Sequence, residues 1–350
     1  MKLTHGGDWA GFETEYGKAP LDLSANISPL GMPEGVKAAA VAALETADRY
    51  PDPLCRELRA SLAAFHGVDA SRVVCGNGAA DLIFRLCRTL RPKKAAVLCP
   101  GFAEYETALR AEDCEITRLY LPEEEDFRLT ASLAERLPGE AELLFLCNPN
   151  NPTGLLTGRE TLLGILSRCR ETGAILAVDE CFLDFCRDGD EHSLVPFLKD
   201  FPELVILRAF TKTYAMAGLR LGYVLCGDPE LAARLQSCGQ PWAASHVAQA
   251  AGVAALKETA YVDTLRALIS AERPRVAAGL RKLGLRVIPG EANYLLFHSV
   301  DAALAEKLRG RGILIRDCSN YPGLRPGWYR TAIRTAAEND ALLLALGEVL

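Results

Sequence analysis

The chain has 350 residues, of which 49% are hydrophobic and 24% charged, a composition typical of a soluble globular protein with a substantial core. Its formal net charge of −6 gives no overall attraction for nucleic acid or an anionic membrane, so we expect neither as a partner. No apolar run approaches the roughly 20 residues that span a bilayer, and the first residues do not resemble a secretory signal.

Twelve cysteines are many for this length, but no two of them have the C-x-x-C spacing. Most lie inside apolar runs, where a free thiol packs as a small hydrophobic group. Together with the lack of a secretory signal, they indicate a reducing cytoplasm. The five histidines are scattered without the spacing of metal ligands, so we predict no metal site.

Short apolar runs alternate with helical patterns through the middle of the chain. The predicted strands are 72–75, 95–99, 143–147, 175–178, 205–207 and 222–226. Strands that are apolar on both faces and separated by helices predict a mostly parallel sheet covered on both sides, and therefore an α/β fold. In such sheets, ligands bind beyond the carboxyl ends of the strands.

After about Trp242 the pattern changes to that of a smaller α/β domain with an antiparallel sheet. The predicted elements are a long charged helix at 260–283, strands at 285–288, 293–297, 312–316 and 328–333, and a helix from Asn339. We divide the chain into an N-terminal arm with part of the small domain (1–39), a large ligand-binding domain (40–245) and a small C-terminal domain (246–350).

Four polar side chains follow the predicted strands of the large domain. Asn151 lies in a Pro- and Asn-rich turn, Asp179 ends an apolar run, Lys212 follows another, and Arg220 comes eight residues later. An amide, a carboxylate, an amine and a guanidinium of this kind can hold pyridoxal phosphate. The amine forms an imine with its aldehyde, the carboxylate pairs with the ring nitrogen, and the guanidinium binds the phosphate.

Each of these residues also has a plainer interpretation. A lysine is usually a solvated surface residue, the Asn151 turn could be only a loop, and Asp179 could cap the following helix. A buried carboxylate without a partner is costly, however, and a cationic pyridinium would offset that cost. Asn151 would then donate a hydrogen bond to the phenolic oxygen of the ring.

Further cofactor contacts are predicted around the same strand ends. Gly78, Ala79 and Ala80 begin a predicted helix, whose first N–H groups can bind a phosphate. Thr211 supplies a hydroxyl beside Lys212. Phe102 could stack on the cofactor ring, although an ordinary core aromatic is an equally good interpretation.

Over nearly its whole length the chain resembles the histidinol-phosphate aminotransferase branch of the fold-type I pyridoxal-phosphate enzymes. Within this branch it is most similar to the L-threonine-O-3-phosphate decarboxylases of cobalamin biosynthesis. The segments that carry the resemblance are 5–7, 22–33, 49–52, 100–105, 148–154, 212–223, 316–323 and 329–335. The resemblance implies a large domain with a seven-stranded, mostly parallel sheet that binds pyridoxal phosphate, and a smaller C-terminal α/β domain.

The resemblance also implies roles for individual residues. Lys212 and Asp179 would be catalytic, and Arg220 with Thr211 would bind the cofactor phosphate. Tyr50 resembles a tyrosine lent to that phosphate by a neighbouring subunit, which implies a homodimer with shared active sites. The substrate would be a small phosphorylated amino acid, bound by His5, Gly6, Gly7, Asn26, Asn151, Arg316 and Arg330.

Within that set, Arg330 would bind the substrate carboxylate, while Arg316 and the His5 segment would bind its phosphate. The His5 segment could belong to a partner's N-terminal arm. Surface ion pairs for the arginines and a mobile tail for His5 are the plainer alternatives. Two positions depart from the aminotransferases: Phe182 stands where many carry a tyrosine, as in the decarboxylases, and Ala209 lacks a hydroxyl often found there.

The resemblance implies decarboxylation of L-threonine O-3-phosphate to (R)-1-amino-2-propanol O-phosphate, which forms the aminopropanol linker of cobalamin. The alternatives are a histidinol-phosphate-type aminotransferase and a decarboxylase of L-serine O-phosphate, since one methyl group discriminates weakly. A ligand-sensing regulator on the same fold would need a DNA-binding module, and residues 1–30 are too short and not basic.

Overall fold

A computed structural model describes residues 5–350 of the chain. Its strands are β1 Leu21–Asp22, β2 Val73–Gly76, β3 Lys94–Cys99, β4 Glu115–Tyr120, β5 Leu143–Cys147, β6 Ile175–Asp179, β7 Leu204–Ala209, β8 Gly222–Cys226, β9 Arg286–Val287, β10 Tyr294–His298, β11 Ile313–Leu314, β12 Arg316–Asp317 and β13 Trp328–Ala332. Within the described residues they form a seven-stranded, a four-stranded and a two-stranded sheet.

Helices separate most of these strands, as the periodicity predicts. They are α1 Trp9–Tyr16, α2 Glu34–Leu44, α3 Arg56–His66, α4 Gly78–Leu90, α5 Ala103–Arg110, α6 Ser132–Arg136, α7 Arg159–Thr172, α8 Gly189–His192, α9 Phe210–Thr213, α10 Pro229–Cys238, α11 His246–Ala255, α12 Thr259–Lys282, α13 Leu304–Gly310 and α14 Ala336–Val349. Short 3₁₀ helices occur at Ala70–Arg72, Glu123–Glu125, Leu183–Phe185 and Val195–Phe197.

The seven-stranded sheet has the order β2-β8-β7-β6-β5-β3-β4. Only β8 runs antiparallel to its neighbours β2 and β7, and the other paired strands are parallel. The predicted large sheet is therefore confirmed. Strand β4 was not predicted, because it lies at the edge of the sheet and only one of its six residues is buried.

Helices cover both faces of this sheet, so alternate residues of its strands enter two different cores. Ala95 and Val97 pack with α4, α5 and α10, whereas Ala96 and Leu98 pack with α2, α3, α7 and α11. Burial on both faces explains the continuous apolar runs of the central strands. Polar side chains are thereby confined to the strand ends, where the sheet is no longer covered.

The small domain contains the antiparallel sheet β12-β13-β10-β9, which packs with α12 and α14 around a core that includes Leu265, Phe297 and Leu346. Strand β1 pairs with β11, so the chain enters this domain before it forms the large one. Helix α11, assigned to the small domain from the sequence, packs with α2 and α3 in the core of the large sheet. The domain boundaries themselves stay a prediction.

The described residues also show the state of the cysteines and the character of the helices. The twelve cysteines all lie within them and are free thiols. None of their helices is both long and apolar enough to cross a membrane.

Candidate active site

A cavity of about 460 Å³ lies where the strands of the large sheet end and the small domain begins. Asp179 lies at the end of β6, and Lys212 follows β7. The residues predicted for the site that line this cavity are His5, Gly6, Asn26, Ala79, Ala80, Phe102, Asn151, Asp179, Thr211, Lys212, Arg220, Arg316 and Arg330. Residues that are up to 325 positions apart in the sequence therefore meet in one cavity.

Lys212 lies in α9, the single helical turn that follows β7. Its backbone oxygen accepts a hydrogen bond from Ser28 N at 3.0 Å, and no described residue hydrogen-bonds its Nζ. Burial, with Arg330 as a repelling neighbour, lowers the pKa of Lys212 to about 8. An amine with this pKa loses its proton more readily than an ordinary lysine, and a nucleophile that attacks an aldehyde must be unprotonated.

Asp179 is 5% exposed, and each of its carboxylate oxygens accepts one hydrogen bond. The Tyr105 hydroxyl donates to Oδ2 at 2.7 Å, and Cys181 N donates to Oδ1 at 3.0 Å. The second contact is a local turn contact of the kind that the capping interpretation expects. The two hydrogen bonds together leave lone pairs on both oxygens, so the carboxylate can still pair with a cationic ring nitrogen.

An anion site is built where α4 begins. Gly78 has a positive φ, and a Cβ there would lie 2.8 Å from Arg220 Nη2, so only glycine lets the guanidinium approach the helix N-terminus this closely. A Cβ at Gly222 would likewise meet Ala79 N at 2.6 Å. The first N–H groups of a helix have no partners within it, and with Arg220 they fit a phosphate. Thr211 lines the same cavity.

Arg330 connects the two domains at the centre of the cavity. Its Nη1 donates to Asn151 Oδ1 and its Nη2 to Ser24 O at 3.0 Å. Its Nε and Asn26 Oδ1 are buried and have no hydrogen-bond partner among residues 5–350. Buried polar atoms are rarely left unsatisfied, so these two atoms are the ones that a bound ligand would satisfy.

Arg316 and His5 also line the cavity. Arg316 Nη2 donates to Asn320 Oδ1 at 2.7 Å, and its guanidinium lies over the Tyr321 ring at 5.4 Å. His5 Nε2 lies 2.7 Å from Glu104 Oε1. Arg316 therefore adds a third guanidinium to the cavity lining, besides Arg220 and Arg330, and guanidinium groups bind anionic substrates through charge-assisted hydrogen bonds.

The segment that carries His5 packs against the body of its own chain. A Cβ at Gly6 would lie 2.4 Å from Ser24 O, and Gly7 N donates to Ser24 Oγ at 2.7 Å. Gly7 itself does not line the cavity. In this chain, then, His5 reaches the cavity through a close contact of two glycines with Ser24.

Two of the residues predicted to contact the cofactor, Phe102 and Tyr50, lie in different places relative to the cavity. Phe102 is half-buried in the cavity wall, with its ring edge-on to Tyr105 at 5.5 Å. Tyr50 is 79% exposed, stacks on Trp242 at 4.5 Å and does not line the cavity of its own chain. A contact of Tyr50 with the cofactor of a neighbouring subunit stays a prediction.

The structure also adds residues that the sequence did not single out. These are Ser24, Glu104, Tyr105, Cys181 and Tyr321. All except Tyr105 line the cavity, and Tyr105 reaches it through Asp179. Glu104 and Tyr105 lie in the segment 100–105 that carries part of the family resemblance, and this was the one signal that could have identified them.

Comparison with known proteins identifies the family. The profile of aminotransferase class I and II matches residues 18–346. The chain belongs to this family. It is 43% identical to the threonine-phosphate decarboxylase of Salmonella typhimurium, over 99% of this chain and 96% of that protein. The resemblance inferred from the sequence motifs is thus confirmed.

Two solved structures share the fold of this chain. The histidinol-phosphate aminotransferase of Sinorhizobium meliloti in complex with pyridoxal-5′-phosphate has a TM-score of 0.89 and 25% identity, over 99% of this chain and 95% of that one. The L-threonine-O-3-phosphate decarboxylase of Porphyromonas gingivalis has a TM-score of 0.81 and 25% identity, over 93% and 98%. The predicted fold class is therefore confirmed.

Proposed function

We propose that this chain is a pyridoxal-phosphate-dependent decarboxylase of L-threonine O-3-phosphate, which forms (R)-1-amino-2-propanol O-phosphate for the aminopropanol linker of cobalamin. The observation that carries the proposal is one cavity in which Lys212 lies among several anion-binding groups. Arg220, which lies close to the N-terminus of α4, lines this cavity together with Arg330 and Arg316. The full-length likeness to a threonine-phosphate decarboxylase supports it.

The residues that line the cavity match the chemical groups of pyridoxal phosphate. The phosphate would bind to Arg220, Thr211 and the first N–H groups of α4, the ring nitrogen to Asp179, and the phenolic oxygen to Asn151 Nδ2. Asn151 uses its Oδ1 to accept from Arg330, which leaves the amide nitrogen to donate. When bound, the cofactor supplies a protonated ring that accepts the electron pair of the bond broken at Cα.

The cationic residues at the substrate end determine which bond breaks. Arg330 would hold the substrate carboxylate, while Arg316 and His5 would hold the phosphate at the opposite end. Fixing both ends sets the torsion at Cα and can place the carboxylate, rather than the hydrogen, perpendicular to the cofactor ring. Positioning of this kind contributes several kcal/mol in favourable cases.

Lys212 is placed to return a proton to Cα after carbon dioxide has left. Its pKa of about 8 lies near physiological pH, where a group both accepts and donates protons efficiently. Phe182 lines the cavity beside it and offers no hydroxyl that could compete for the proton.

The test is carbon dioxide release from L-threonine O-3-phosphate by cofactor-loaded protein, with no keto acid present. We expect one carbon dioxide for each aminopropanol phosphate, unchanged when 2-oxoglutarate is added. Transfer of the amino group that depends on 2-oxoglutarate, without carbon dioxide, would instead establish an aminotransferase. A kcat/KM for L-serine O-phosphate above that for L-threonine O-3-phosphate would identify the serine compound as the preferred substrate.

The proposal includes a cytoplasmic homodimer in which Tyr50 contributes to the neighbouring active site. The exposure of the Tyr50–Trp242 stack supports this. In hybrid dimers of Tyr50→Ala and Lys212→Met subunits, one site combines an intact Lys212 with an intact Tyr50 from the other subunit. We expect such hybrids to be more active than either parent homodimer. Hybrids no more active than the Tyr50→Ala homodimer would contradict a shared site.

A further inference from the structure

Tyr105 makes a contact that its position in the core does not require. It is 2% exposed, and its ring stacks on Phe145 at 4.8 Å with an interplanar angle of 2°. These ring contacts would be the same for phenylalanine. The hydroxyl adds one hydrogen bond, to Asp179 Oδ2 at 2.7 Å, and this oxygen belongs to the carboxylate that faces the cofactor site.

The chemistry of the donor matters here as much as its geometry. An arginine or histidinium beside Asp179 would compete with a pyridinium nitrogen for the negative charge of the carboxylate. Burial, with the charge of Asp179 as a second cause, raises the pKa of Tyr105 well above its usual value. The hydroxyl therefore stays a neutral donor, which fixes the position of Asp179 Oδ2 without adding a charge beside it.

We infer that Tyr105 is a positioning residue for the reaction, which orients the Asp179 carboxylate toward the cofactor ring through the Oδ2 hydrogen bond. Cys181 N fixes the other oxygen, so the two donors together determine the plane of the carboxylate. Tyr105 does not line the cavity and acts only through Asp179. The inference rests on the proposed function for the identity of the cofactor, but not for the identity of the substrate.

A purely structural role makes a different prediction from a positioning role. If Tyr105 only fills the core, Tyr105→Phe keeps both ring contacts and loses only stability, as any buried hydroxyl would. Tyr329 offers a matched control, because it is 1% exposed and its hydroxyl donates to Asp301 O at 2.9 Å, away from the cavity. Tyr329→Phe loses a buried hydroxyl without changing the site.

The first measurement needs no substrate and is independent of the reaction. The absorbance of cofactor-loaded protein is followed against pH for wild type, Tyr105→Phe and Tyr329→Phe. In cofactor-loaded protein Lys212 is covalently linked to the cofactor, and the absorbance transition follows the loss of the proton on its nitrogen. A less firmly protonated ring withdraws less charge from that nitrogen. The nitrogen then keeps its proton to higher pH. We expect the transition of Tyr105→Phe to move upward by about half a unit or more, and that of Tyr329→Phe to stay at the wild-type pH.

The second measurement is steady-state decarboxylation. A hydrogen bond to a charged group corresponds to a change of about tenfold to a hundredfold in rate. We expect kcat of Tyr105→Phe to fall by this factor with KM within about threefold, because Tyr105 does not contact the substrate. If wild-type protein releases no carbon dioxide, the proposed function fails, while the absorbance titration still decides the role of Tyr105.

An unchanged absorbance transition in Tyr105→Phe would overturn the inference, as would equal shifts in Tyr105→Phe and Tyr329→Phe. If Tyr105→Phe does not fold, 3-fluorotyrosine at position 105 replaces it. Fluorine makes the phenol a stronger donor with little change in shape, so the transition should then move to lower pH. A transition that stays in place or moves upward would count against Tyr105 as a positioning residue.

Discussion

Two cavities of similar volume lie at the same strand ends but differ in whether their charged groups are paired with each other. The second, of about 420 Å³, is lined by Glu180 and Arg208, and the active-site cavity by their neighbours Asp179 and Ala209. In the second cavity Arg208 Nη2 donates to Glu180 Oε2 at 2.6 Å and Nη1 to Asp184 Oδ1 at 3.2 Å. These charges satisfy each other.

The active-site cavity contains several polar atoms that have no partner in the described part of the chain and that a ligand could satisfy. Lys212 Nζ has no hydrogen-bond partner among the described residues, and Arg330 Nε and Asn26 Oδ1 are buried without one. Burying a polar or charged group without a partner is costly in either cavity. The difference in pairing therefore distinguishes the structural charge cluster around Arg208 from the functional cluster around Lys212. The Arg208 cluster holds the ends of β6 and β7 in place, and the reactive residues lie directly beside it.

The largest expected effect is on activity, at Lys212. We expect Lys212→Met to lower decarboxylation by at least about 10³-fold, since both the covalent link to the cofactor and the proton donor to Cα are lost. Carbon dioxide release measures this, and the protein should also lose the yellow absorbance of bound cofactor. Lys199, which is exposed, offers the control, and Lys199→Met should behave as wild type.

Replacing a cation by methionine in the Arg208 cluster should lower stability rather than activity. Arg208→Met leaves Glu180 buried without its cation, which costs about 3–5 kcal/mol in the free energy of unfolding. Urea unfolding of the cofactor-free protein measures this. The double variant Arg208→Met with Glu180→Gln removes both charges and should recover part of the loss. Equal destabilisation by the single and double variants would show that the pair is not what stabilises the strand ends.

Sequence alone could predict the polar residues that face the ligand better than the residues that pair with them. Lys212, Asp179 and Asn151 were predictable because each follows a continuous apolar run, and a polar residue in that position stands out. Tyr105 was not, because its partner Asp179 is 74 residues away and a buried tyrosine resembles any other core aromatic. Pairing between distant residues has no local pattern, and it is pairing that distinguishes the two cavities.

The fold shows the same limit at its edges. The central strands were predictable because burial on both faces makes them apolar throughout. Strand β4 exposes Glu115 and Arg118 and reads as a loop, although it pairs with β3 along its whole length. The two-residue pairing of β1 with β11 is too short for any periodicity, so the route of the chain through the small domain was visible only in three dimensions.

A smaller effect follows from the pH dependence of stability in the cofactor-free protein. The pKa of Lys212 is lowered from 10.5 to about 8, so between these values the unfolded chain binds more protons than the folded one. Stability should therefore rise with pH from about 8 to 10.5, by about 1–3 kcal/mol once solvent access is allowed for. Below pH 8 both states are protonated and the penalty is fully present.

Lys212→Met separates this contribution from every other titrating group. The variant lacks the buried amine, so its unfolding free energy should exceed that of wild type at pH 7, and the rise between pH 8 and 10.5 should be smaller. Urea unfolding at pH 7, 8, 9, 10 and 11 measures both. Parallel pH profiles for the two proteins would mean that the amine is not held in an unfavourable environment. Lys212→Met and Arg208→Met should thus change stability in opposite directions.

The smallest effect concerns Phe182, an apolar member of the active-site wall. Its ring is 6% exposed and edge-on to Tyr294 at 5.0 Å. Phe182→Tyr adds one hydroxyl near the predicted position of the ring oxygen, and a neutral hydrogen bond is worth about 0.5–1.5 kcal/mol. We therefore expect decarboxylation to change by no more than about tenfold, with Phe84→Tyr at a half-exposed surface position as the control.

The ratio of products is more informative than the rate of this variant. If bond choice depends on how Arg330 and Arg316 hold the two ends of the substrate, the added hydroxyl leaves carbon dioxide as the product, whether or not 2-oxoglutarate is present. If amino-group transfer instead appears in Phe182→Tyr but not in Phe84→Tyr, the absence of a hydroxyl at position 182 is itself part of the specificity. An apolar residue would then belong to the functional set, and unsatisfied polar atoms alone would not define the site.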